Sequence, residues 1–85
     1  MNRKEIKKGK SVVIVETTDL QIGGVDGIFV KISSLDDSIC IWGHRKEQLK
    51  QSIAEIVRDY FPWQSITWKR VYNFTNDILN DYNWE

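Results

Sequence analysis

The chain has 85 residues, 41% of them hydrophobic and 28% charged, with twelve bases balanced by twelve acids. That length supports one core, that composition argues against disorder, and a net charge of zero removes the global attraction on which nucleic-acid binding usually rests. One cysteine excludes an internal disulfide, and no apolar run reaches the length of a membrane span, so the sequence reads as a single cytoplasmic domain over residues 1–85.

Residues 1–10 carry Arg3, Lys4, Lys7, Lys8 and Lys10 against Glu5 alone and read as a basic N-terminal arm. SVVIVE (11–16) is a predicted strand, because four consecutive β-branched side chains suit a pleated sheet better than a helix. Both of its faces are apolar, which places it inside the sheet. TTDLQIGGVDG (17–27) reads as the main loop, tacked to the body by Leu20, Ile22 and Val25, with glycines supplying the turns. GIFVKIS (27–33) and SICIWG (38–43) are two further strands. Joined by the polar turn SLDD (34–37), they make a hairpin. Ile28, Val30 and Ile32 share one face of the first, with Phe29 and Lys31 opposite; Ile39 and Ile41 share one face of the second, with Cys40 and Trp42 opposite, and these four isoleucines and Val30 are expected in the core.

The clearest helix spans about 44–60. Leu49, Ile53, Ile56, Val57, Tyr60 and Phe61 recur at a 3.6-residue period. Gly43 or His44 is its expected cap, and Pro62 stops it. The stretch after it admits two readings. WQSITWKRVYNF alternates well enough for a short strand at 66–71 followed by a helix at about 74–82. Trp68, Val71, Tyr72, Ile78, Leu79 and Tyr82 also fit one helical stripe beginning after a Ser65 cap. Residues 83–85 form a polar tail. The expected fold is α+β, a three- to four-stranded antiparallel sheet with two helices packed on one face.

Motifs of catalysis and ligation are incomplete. KGKS (8–11) resembles the end of a phosphate-binding loop, but Glu5 stands where the upstream glycine belongs and a strand follows. GGVDG (23–27) opens no helix and reads as a chain reversal. Cys40 and His44 are too few for a zinc site, and Cys40, in an apolar strand, is expected to be buried and inert. Asp36 and Asp37 share a turn, where carboxylates usually hydrogen-bond local backbone. The expectations are therefore no enzyme activity, no catalytic residues, no cofactor and no metal.

Eight of the ten aromatic residues follow position 59. A small domain buries many such rings, but more are present here than one miniature core absorbs. Trp63, Trp68, Lys69, Arg70 and Tyr72, joined by Trp84, form the predicted partner-binding patch, since tryptophan, tyrosine and arginine dominate protein interfaces. The expected function is a small protein-binding module, an inhibitor, adaptor or immunity-type protein, with self-association among its modes. The alternative is an RNA or single-stranded DNA binding domain that stacks bases on these rings and holds phosphates with Lys69, Arg70 and the basic arm.

Overall fold

The computed structural model describes residues 2–35, 37–62 and 65–82. Its elements run β1 (Asn2–Lys8), β2 (Ser11–Ile22), β3 (Val25–Ser34), β4 (Asp37–Gly43), α1 (Lys46–Asp59) and α2 (Trp68–Leu79). The four strands form one antiparallel sheet in the order β1-β2-β3-β4, so the expected α+β fold is the one observed.

Two-residue turns dictate this meander. Lys8 pairs with Ser11, Ile22 with Val25, and Ser34 with Asp37. Gly23 and Gly24 both take positive φ, 58° and 79°. That is the type I′ geometry whose twist matches two adjoining strands. The stretch expected as the main loop is instead a β-ribbon, with Thr18 to Ile22 paired to Val25 to Phe29. The β3–β4 turn has a different character: Leu35 sits at φ 52° and is 98% exposed. A left-handed backbone costs a non-glycine residue about 1–2 kcal/mol.

The N-terminal residues also differ from expectation. They form β1 rather than an arm, because Ile6 lies opposite Val13 and drops into the core while the bases around it stay exposed, Arg3 and Lys7 on the opposite face and Lys4 and Lys8 on the same face at the sheet edge. Strand alternation then sorts every side chain. Ile6, Val13, Val15, Thr17, Ile28, Val30 and Ile32 are buried on one face, and both helices pack there. The principal extents of 40 × 26 × 17 Å fit two layers and leave no depth for a third.

α1 follows its predicted stripe, burying Leu49, Ile53, Ala54 and Val57 with Ile56 half-buried. Its N-cap is Arg45, not Gly43 or His44, and no side chain caps it. Residues 66–71 are not a strand. Thr67 is the N-cap of α2, and its Oγ1 accepts a hydrogen bond from the Arg70 N–H at 3.2 Å. That contact satisfies a backbone donor of the first turn and starts the helix ahead of the aromatic run. Val71, Thr75, Ile78 and Leu79 are its buried side. The two helices lie antiparallel, since Lys46 at the start of α1 donates to Asn80 at 2.8 Å while Arg58 near its end sits over Trp68. Tyr82 reaches under the sheet, its hydroxyl donating to the buried Thr17 Oγ1 at 2.7 Å.

Edge position overturns two expectations. Ile39, predicted as core, is 40% exposed, and Cys40, predicted as buried, is exposed. Both belong to β4, where among the described residues no further strand follows on the outer side and α1 touches the strand lightly. Leu20, Ile22 and Val25, expected to tack a loop down, stand 40%, 48% and 43% exposed along the β2–β3 ribbon. The core gains Ile6, Ile66 and Val71 in their place.

Ile53 is wholly enclosed, so Ile53→Ala should cost about 2–5 kcal/mol in denaturant melts. Leu35→Gly relieves the left-handed strain without removing a contact from the core, and should raise stability by about 0.5–1 kcal/mol in the same measurement.

Candidate functional site

The residues that leave the core on the odd-even alternation of the strands all emerge on the opposite face. β2 sends out Val12, Ile14, Glu16, Thr18, Leu20 and Ile22; β3 sends out Val25, Gly27, Phe29, Lys31 and Ser33; β4 sends out Ser38, Cys40 and Trp42. An antiparallel sheet with one wet face usually alternates polar residues outward. Here Val12, Ile14, Phe29 and Trp42 are half-buried and Leu20, Ile22 and Val25 are exposed, and among the described residues no helix covers them.

Register turns these residues into a strip. Thr18, Phe29 and Trp42 lie directly across from one another on three strands, and Leu20, Ile22 and Val25 continue the apolar surface along the ribbon. Trp42 is fixed in place. Its Nε1–H donates to the Leu20 carbonyl at 2.8 Å, and the indole crosses Gly27 so closely that a Cβ there would stand 2.4 Å from a ring carbon. Only glycine leaves space for that approach. His44 flanks the same indole at 5.7 Å between ring centroids. The charges beside the strip are mixed: Arg3, Lys7 and Lys31 against Glu5 and Glu16.

The predicted patch on α2 is partly assembled. Trp68 is 46% exposed and stacks on the half-buried Tyr72, with ring centroids 5.6 Å apart and planes inclined by 28°. The cations beside these rings come from α1 and were not anticipated: Arg58 over Trp68 and Lys50 over Tyr72, each at 5.6 Å. Tyr72 also donates to Gln51 Oε1 at 3.2 Å. Arg70 is turned to the other side of the helix, where its Nη2 donates to the Lys7 carbonyl at 2.6 Å. Lys69 is exposed. Trp63 and Trp84 lie outside the described residues, as do Asp36 and the tail 83–85.

A shallow cleft of about 1040 Å³ opens between the ribbon and the end of α2, lined by Asp19, Asp26 and Asp81 with His44 and Arg45. At the far end of α1, Tyr60 donates to Asp37 Oδ2 at 3.0 Å. Burial first, and then that hydrogen bond and the carboxylate charge, hold its phenol above the ordinary value of 10.0, so the hydroxyl remains a donor at neutral pH. Among the described residues no three His, Cys, Asp or Glu side chains gather as a metal site, and no helix is long and apolar enough to cross a membrane.

Phe29 and Trp42 were missed as site residues because they stand thirteen positions apart and meet only through strand pairing. Their signal was the strand period, which placed both opposite the core. Gly27→Ala should push the indole off the ribbon and cost about 1–3 kcal/mol, as overpacking does, with loss of the protected Trp42 indole N–H in amide-exchange NMR. Compared with protein-family models, curated proteins and solved structures, the chain matches none.

Proposed function

We propose that this chain is a non-enzymatic protein-binding module, an inhibitor, adaptor or immunity-type protein, whose contact surface is the open face of the sheet around Phe29 and Trp42. The observation that carries this reading is the apolar strip itself. Phe29, Trp42, Leu20, Ile22 and Val25 lie side by side on a face that neither helix covers. Large exposed apolar surface is costly in water and characteristic of interaction sites. The strip also has the anatomy of an interface, with an aromatic centre and a rim of mixed charge. Trp42 is already immobilised by Leu20 and Gly27, so binding orders one large side chain fewer.

The α2 patch ranks behind this face. Trp68 and Tyr72 are partnered within the chain by each other, by Arg58 and Lys50, and by Gln51. Cation–π contacts let such rings stand in water at little cost. They suit a secondary contact rather than the centre of one.

One observation favours the nucleic-acid alternative: Phe29 and Trp42 are adjacent on a sheet face with Lys31 beside them, an arrangement able to stack bases. The balanced charge of that face weighs against it, since phosphate binding needs a surplus of bases.

The discriminating experiment is an affinity capture with three baits, the wild type, Phe29→Lys and Trp68→Ala, each with and without nuclease. A protein partner should survive nuclease and Trp68→Ala and should bind Phe29→Lys at least about tenfold more weakly. Loss of binding with Trp68→Ala alone would move the contact to the helices. A nuclease-sensitive catch whose affinity falls steeply with salt would establish the alternative.

A further inference from the structure

The sheet has two edges, and they are built differently. β1 is guarded: Arg3, Lys4, Lys7 and Lys8 occupy four of its seven positions. Charged side chains, lysine above all, are the usual defence against edge-to-edge pairing. β4 reads DSICIWG, with one charge at its first residue. Ile39 is 40% exposed and Cys40 is exposed. By the physics that protects β1, β4 is an open template for another strand.

We propose that the strand it accepts is β4 of a second copy, antiparallel, with the two-fold axis at Cys40. The sequence of the strand selects this occupant. I-C-I is symmetric about Cys40, so pairing two copies there sets Ile39 against the partner's Ile41 and Ile41 against the partner's Ile39. Such cross-strand β-branched pairs are stabilising. Ser38 then faces the partner's Trp42, and Asp37 faces the partner's Gly43, so the strand's only charge meets no like charge. A C2 contact needs a self-complementary surface of this kind. Ile39 and Ile41 lie on the helix side of the sheet, so the exposed Ile39 is covered where the two cores join. Cys40 and Trp42 lie on the open face, which becomes continuous across both copies. This goes beyond the protein-binding reading and stands without it, since edge pairing uses backbone and Ile39 rather than the aromatic strip.

The register has a chemical signature. Residues directly opposed on antiparallel strands have Cα atoms about 4.5–5.5 Å apart, within the span a disulfide bridges. Diamide should therefore couple Cys40 to the partner's Cys40, itself taking up the two electrons and two protons that the thiols release. Sedimentation equilibrium should show a mass rising with concentration from 10.0 kDa toward twice that value, and diamide should give a covalent dimer that a reductant dissolves. Ile39→Lys, at an exposed position with the fold checked by circular dichroism, should weaken association at least about tenfold. Cys40→Ser should abolish the cross-link and keep the association, and Phe29→Lys should leave association unchanged. A wild type that stays monomeric up to ~100 µM, a dimer that survives Ile39→Lys, a dimer that diamide does not cross-link, or a dimer lost with Phe29→Lys would each overturn the proposal. The last of these would point to face-to-face association instead.

Discussion

Two helices can cover one face of a four-stranded sheet, and the described residues form two helices for a sheet that carries apolar side chains on both. β2 shows the constraint most plainly. Val13 and Val15 are sealed under α1 and α2, while Val12 and Ile14, one residue away, are half-buried on the opposite face. Because strand side chains alternate strictly, packing one set inward commits the other outward. The register runs unbroken through β1, β2, β3 and β4, so no bulge re-aims any of them. The outward placement of Phe29, Trp42 and the ribbon residues is the consequence.

The helices answer to the same arrangement. Thr17 and Thr75 are buried yet satisfied, the first by Tyr82 and the second by the Val71 carbonyl at 2.9 Å, so the covered face carries polar groups without orphaning these two. α2 is held near its start by Arg70 donating to the Lys7 carbonyl of β1, and near its end by Asn2 donating to the Ile78 carbonyl and to Asp81. These ties span from β1 to the far end of the chain.

Much of the fold was legible in the chain. The period of Leu49, Ile53 and Val57 defines α1, and the β-branched run of SVVIVE defines the heart of β2. β1 was obscured because Ile6 is its one buried apolar side chain and the lysines around it resemble a solvated arm. The ribbon was obscured because glycine pairs such as Gly23 and Gly24 suit an open loop as well as the type I′ hairpin they form between Ile22 and Val25. At 66–71 two periods competed, and a capping hydroxyl at Thr67 decided between them. The exposure of Ile39 and Cys40 was not legible locally at all. Whether a strand is central or at an edge depends on partners chosen elsewhere in the chain. The same holds for the candidate site. A cluster of aromatics in sequence drew notice to Trp68 and Tyr72, which do meet, while Phe29 and Trp42 are neighbours only through register.

The surface on which the functional reading depends can be probed directly by hydroxyl-radical footprinting of the free chain and of its captured complex, read by mass spectrometry. Phe29, Trp42, Leu20 and Ile22 should be oxidised in the free chain and protected in the complex, with Trp68 and Tyr72 labelled alike in both. Protection confined to Trp68 and Tyr72, with the sheet face still labelled in the complex, would contradict it.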